Sequence, residues 1–139
     1  GAPTHTGGDV QAMSYIFNGD FVDRGAHQLE IIVLLFSLKA LYPEQIYLTR
    51  GNHEFREQNV AMREAGFFGH LANRMAAEKT YKVFECVHCA FDWLPLAAVA
   101  AGVVLVIHGG VGDGTWGLHD LESIKRPFKD VDQSQVALQ

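Results

Sequence analysis

Short apolar runs in this chain end abruptly at glycine and polar residues, and the longer ones end at proline. Tyr15-Ile16-Phe17 leads straight into Asn18-Gly19-Asp20, so residues 14–22 read as a strand and the loop at its end. From His27 to Tyr42 the apolar positions are nearly continuous, and Pro43 closes the stretch. It is too long for a strand, so it predicts a largely buried helix. Residues 45–49 read as a second strand. Strand, helix and strand in about 35 residues make a βαβ unit, in which the two strands are parallel neighbours. Both then finish on the same edge of the sheet, where ligands of open α/β sheets sit.

Residues 56–79 mix charged and apolar positions and predict one helix or two short ones, with Gly66 and Gly69 as the break. Residues 80–93 predict another helix with Tyr81, Val83, Phe84, Val87 and Phe91 on its apolar side, stopped by Pro95. Two apolar runs flank Gly102 (Leu96 to Ala101 and Val103 to Ile107) and predict a tight hairpin with both strands in the core. Leu118 to Lys125 reads as a short helix. Residues 1–14 read as loop, with His5 and Asp9 as solvated bystanders. The final dozen residues are polar and offer no closing element.

Composition narrows the picture. With 139 residues, 48% of them hydrophobic, the chain can bury one core. The net charge of −5, with no basic run, argues against nucleic acid held by its backbone. The longest apolar run, Leu94 to Ile107, is broken by Pro95 and Gly102 and is too short to span a bilayer as a helix. The N-terminus lacks the basic start and apolar stretch of a signal peptide. Cys86 and Cys89 form one Cys-x-x-Cys with no second pair. In a helical run they are expected to pack on one face rather than hold zinc. No disulfide framework is implied, which favours a reducing compartment. Together these predict a soluble cytoplasmic or nuclear protein without nucleic-acid or membrane partners.

The chemistry gathers at the strand ends. The first delivers Asp20, Asp23 and Arg24; the second delivers Arg50-Gly51-Asn52-His53-Glu54; the hairpin delivers His108-Gly109-Gly110. A carboxylate, an amide oxygen and an imidazole without thiolates suit Mn, Fe or Zn. A carboxylate can bridge two such cations in the arrangement that hydrolyses phosphate esters. Arg24 offers a planar fork for phosphoryl oxygens. His53 can give or take a proton near neutrality, with Asp23 to orient it. Each residue also has a plain structural role open to it. Asp20 or Asp23 could cap a helix near Gly25, Arg24 could pair with either carboxylate, and His108 could be a satisfied core histidine. Three strand ends all carrying such residues favour an active site.

Gly19-Asp20-x-Val22-Asp23-Arg24-Gly25, Gly51-Asn52-His53-Glu54 and His108-Gly109-Gly110 resemble three signature motifs of the PPP-type serine/threonine protein phosphatases, within the calcineurin-like metallophosphoesterases. The resemblance runs from Tyr15 to Pro127 and includes Trp93-Leu94-Pro95-Leu96. It implies an α/β fold, a metallophosphoesterase-like αββα sandwich, here incomplete and forming a single partial catalytic domain. It implies hydrolysis of phosphoserine and phosphothreonine by water activated at two divalent metal ions. Asp20 would bridge the metals, with Asn52 and His108 on the second. Arg24, Asn52 and Arg50 would serve the phosphate, and His53 with Asp23 would donate the proton. Phosphoproteins are the implied substrates, and regulatory subunits possible partners. A dinucleoside-polyphosphate esterase and a non-catalytic, partner-binding phosphatase-like domain are the alternatives. The family's opening Gly-Asp-x-His-Gly is absent and is expected upstream of residue 1, leaving the chain with the middle portion of the domain. A later metal-binding His and phosphate-binding Arg are expected beyond Gln139. The stretch between Asn52 and His108 is several residues longer than the family's, around Gly66 to Lys79.

Overall fold

The computed structural model describes residues 9–130. Its elements in order are α1 (Asp9–Ala12), β1 (Tyr15–Asn18), α2 (Gln28–Leu41), β2 (Ile46–Thr49), α3 (Arg56–Ala61), a 3₁₀ turn (Arg63–Ala65), α4 (Phe67–Ala72), α5 (Ala77–Phe91), β3 (Ala97–Ala100), β4 (Val104–Ile107) and α6 (Leu118–Ser123). β1 and β2 pair in parallel, with Tyr15 opposite Ile46 and Asn18 opposite Thr49. The βαβ unit is therefore present, and both strands end level with one another. β3 and β4 form a separate antiparallel pair, with Ala97 opposite Ile107.

One core joins the parallel pair to the helices. Ile32 and Leu35 of α2 and Ile46 and Leu48 of β2 meet Phe67 and Leu71 of α4 and Phe84, Val87 and Phe91 of α5. Aromatic edges add specificity: Phe68 meets Phe84 at 5.1 Å between centroids and 90° between planes. The helical stretch breaks at Gly66, whose backbone is extended, and the position needs glycine because a Cβ there would lie 1.9 Å from the Asn59 carbonyl oxygen. Gly69, the other expected break, sits inside α4, pressed against Arg63.

Several expectations are corrected. α1 gives residues 9–12 a helical turn where loop was expected, and Asp9 accepts a hydrogen bond from the Tyr15 hydroxyl. His5 and the last nine residues lie outside the described residues. β1 ends at Asn18, four residues before Val22. α2 is not largely buried, because Val33, Leu34 and Leu41 are exposed. Its apolar residues run all round the helix, whereas this chain covers only one side of it. The hairpin likewise forms without sinking into the core: Val99, Val103 and Val104 are exposed. Tyr81 faces outward on α5, packed edge-on to Phe68. Cys86 and Cys89 are both exposed rather than packed. Among the described residues no helix is long and apolar enough to cross a membrane.

Candidate active site

The two parallel strands end in loops that touch. A Cβ on Gly19 would lie 2.5 Å from the Gly51 nitrogen, and one on Gly51 would lie 2.6 Å from Asp20 Oδ1. Only glycine permits this approach. Between the loops sits Glu54, fully buried. Its carboxylate accepts the N–H groups of Asp20 (2.8 Å), Phe21 (2.7 Å) and Gly51 (2.8 Å). Burial pushes its pKa up, and those three N–H groups favour the charged form against it. Gly19, Asp20, Asp23 and Arg24 all take positive φ (73°, 56°, 71° and 63°). Left-handed backbone at three non-glycine residues is strained, and it persists only where surrounding contacts over-determine it. The Glu54 bonds are among those contacts. Others are Asp23 N–H to Gln28 Oε1 (2.9 Å) and Arg24 N–H to the Ala65 carbonyl (2.7 Å).

This loop points Asp23 inward at His53. His53 Nδ1 lies 2.7 Å from Asp23 Oδ2, and both side chains are almost wholly buried. Asp23 also accepts from Asn59 Nδ2 (2.9 Å) and from the Phe67 N–H (2.8 Å). With two donors already on this carboxylate, its remaining contact to His53 is that of an acceptor, which makes Nδ1 the ring nitrogen that donates. The other ring nitrogen, Nε2, meets Arg24 Nη2 at 3.1 Å. Arginine only donates, so Nε2 carries the lone pair here.

Asp20 points the other way. Its Oδ1 lies 3.2 Å from His108 Nε2, and Asn52 Oδ1 lies 3.2 Å from the same nitrogen. His108 Nδ1 is 2.6 Å from the Asn18 carbonyl oxygen, which only accepts, so Nδ1 carries a proton. Nε2 is then left facing two oxygen acceptors. Three outward-facing nitrogen and oxygen atoms turned toward one another match the chemistry of a hard or borderline cation site. The set is partial: among the described residues no three His, Cys, Asp or Glu side chains gather to hold a metal, and the third donor here is an amide.

The sequence profile of the calcineurin-like phosphoesterases matches residues 10–138. The chain belongs to that family. Among proteins it resembles, serine/threonine-protein phosphatase BSL2 of Arabidopsis thaliana is 39% identical over 92% of this chain and 12% of its own length. Serine/threonine-protein phosphatase 5 of Homo sapiens is 44% identical over 81% of this chain and 21% of its own. A solved protein serine/threonine phosphatase from Saccharomyces cerevisiae, described as similar to human phosphatase PP5, superposes with a TM-score of 0.73 at 35% identity. That match covers 84% of this chain and 35% of the yeast one. The chain thus spans only 12–21% of the length of the two curated relatives. Calcineurin-like protein phosphatases use a binuclear metal site.

Within this calcineurin-like phosphoesterase domain, Asp20, Asp23, Arg24, Asn52, His53 and His108 come together. Arg50 does not join them. Its side chain is fully buried and its guanidinium donates to the carbonyls of Glu54 and Phe128, with Asp92 at 3.5 Å. It lies over the Phe55 ring at 3.8 Å. Burial pulls its pKa down, and Asp92 and Asp130 act against that. With its donors spent on the chain, Arg50 ties the loop after β2 to Phe128 and does not present to a phosphate. Glu54, Gln28, Asn59 and His88 support the site without having been assigned a role from sequence. Glu54 carried a signal, as an acid following three residues that each had one. Asn59 and His88 carried only their positions on helices.

Proposed function

We propose that this chain is the middle portion of a PPP-type catalytic domain that hydrolyses phosphoserine and phosphothreonine esters in proteins. The observation that carries this reading is the buried Asp23–His53 pair opening onto Arg24, next to the Asp20, Asn52 and His108 donors. Arg24 is exposed, and its fork fits two phosphoryl oxygens. A phosphate ester in the site takes over the guanidinium that now caps His53 Nε2. The freed nitrogen then faces the ester oxygen. Protonated, it delivers its proton to the departing serine or threonine alkoxide as the P–O bond breaks and a water oxygen adds to phosphorus. Asp23 holds the ring in register and offsets the imidazolium charge.

Asp20, Asn52 and His108 have the donor chemistry to hold divalent cations, and Asp20 would be the carboxylate available for sharing; Mn, Fe or Zn would suit such a set. Bound there, the cations supply Lewis acidity toward the phosphoryl oxygens and acidify water. The 139 residues contain no Gly-Asp-x-His-Gly. The remaining ligands are therefore read as lying outside them. Phosphoproteins are the substrates on this reading, with regulatory subunits as partners.

The test is phosphate release from a phosphoserine peptide by the full-length protein with added Mn²⁺, against His53→Ala. Loss of a general acid should lower kcat by about 10²–10⁴-fold. Turnover of a dinucleoside polyphosphate in preference to the peptide would favour the other esterase. A parent protein inactive on both would leave a binding module.

A further inference from the structure

His88 is fully buried on α5, between the rings of Phe84 (4.3 Å between centroids) and Phe91 (5.1 Å). A histidine among phenylalanines in a core leaves polar atoms to satisfy, and one is left over: Nδ1 has no hydrogen-bond partner. The other nitrogen is engaged. Nε2 lies 2.8 Å from Oδ1 of Asn59, itself fully buried. Asn59 Nδ2 lies 2.9 Å from Asp23 Oδ2 and 2.7 Å from the His53 carbonyl oxygen. Both of those oxygens only accept, so they take the two amide hydrogens and settle which way Asn59 faces. Its Oδ1 must then accept from His88, which donates through Nε2–H. The orphaned Nδ1 is the deprotonated atom of that tautomer. Burial, with Arg56 adding to it, holds the ring neutral, its pKa pulled down to about 3.

We propose that His88 is a positioning residue for the Asp23–His53 pair, acting through Asn59. The chain of bonds runs one way: His88 Nε2–H to Asn59, Asn59 to Asp23 and to the His53 backbone. Without the His88 donor, Asn59 Oδ1 would be a buried acceptor lacking a partner. The amide would gain by turning its nitrogen away from Asp23. Asp23 would lose one of its donors, and the His53 carbonyl would lose the amide that holds it. The cost of one unpaired imidazole nitrogen is what keeps the amide facing the proton-transfer pair.

This rests on the reading of His53 as the acid that protonates the leaving group. The test uses His88→Leu, which removes the donor, and His88→Gln, whose amide N–H can replace Nε2–H, in the full-length protein. Leu should lower kcat on a phosphoserine peptide by about tenfold, equivalent to ~1.4 kcal/mol, with KM little changed. The loss should be smaller on an aryl phosphate, whose leaving group needs less protonation. Gln should recover most of the kcat. Equal losses in both variants, or equal losses on both substrates, would overturn the proposal. So would a Leu variant as active as the parent. A second measurement needs no variant. The ¹⁵N shifts of the parent's histidines should show His88 as the neutral Nε2–H tautomer, and an Nδ1–H or charged ring contradicts the proposal. A parent with no phosphatase activity would sink the functional reading, and the tautomer measurement would still decide whether His88 donates to Asn59.

Discussion

The Asp23 and His53 side chains are buried, whereas Asp20, three residues away, and Asn52, next to His53, face outward. The inward pair is tied on every side by this chain: Asn59, Phe67 N–H and Gln28 on one partner, Arg24 and Asn59 on the other. The outward cluster has the opposite character. Asp20, Asn52 and His108 turn toward a common point, with two ties to the backbone: His108 Nδ1 to the Asn18 carbonyl and the His53 N–H to Asp20 Oδ1. One side of the site is preorganised for moving a proton. The other collects acceptors whose natural complement is positive charge from outside. Glu54 divides the two, because its three N–H partners build the turn that sends Asp20 one way and Asp23 the other.

The contrast can be broken most severely at Glu54. Glu54→Ala leaves three backbone N–H groups without their acceptor and should cost about 3–5 kcal/mol, read from chemical denaturation. A loss under about 1 kcal/mol would mean that the turn holds itself. A smaller effect concerns pH and belongs to the closed side. His88 has a folded pKa of about 3, below the ordinary value of 6.5. The unfolded chain therefore binds a proton between those limits that the folded chain refuses. Nothing is lost above pH 6.5, and stability falls as pH drops toward 3, by about 2 kcal/mol at pH 5. His88→Gln should remove that part of the slope in denaturation curves taken between pH 7 and 5. The smallest effect on stability should come from the open side. His108→Ala loses one partly exposed hydrogen bond and should cost no more than about 1 kcal/mol. It should nevertheless abolish the rise in melting temperature that added Mn²⁺ gives the parent. A large loss of stability with the metal response intact would reverse the comparison.

The open side was the more legible in the sequence. Asp20, Asn52 and His108 each follow an apolar run and sit beside glycine, and a strand end is a place that pattern can find. The βαβ unit was readable for the same reason, since its periods and its Pro43 stop are local. Burial was not readable. The apolar residues of α2 and of the hairpin state what favours cover, but Val33, Leu34, Val99 and Val104 find none within this chain. Arg50 shows the same limit at a polar residue. Its place before Gly51-Asn52-His53 suggested phosphate, and only the fold reveals Phe128 and Asp92 around it. The closed side depends on partners distant in sequence: Asn59 is 36 residues from Asp23, and His88 is 29 from Asn59. Spacing on one helix face places His88 inward with Phe84 and Phe91, but it does not say that an amide waits opposite.

The most direct test is to follow the His53 and His108 ring resonances in ¹⁵N-labelled protein while Zn²⁺ is added to a metal-free sample. His53 should already show a single Nδ1–H tautomer, slow to exchange, that changes little through the titration. His108 should move sharply as its Nε2 acquires a cation. A His53 ring that is averaged between tautomers before metal arrives and ordered only afterwards would contradict the claim that this chain preorganises its own proton-transfer pair.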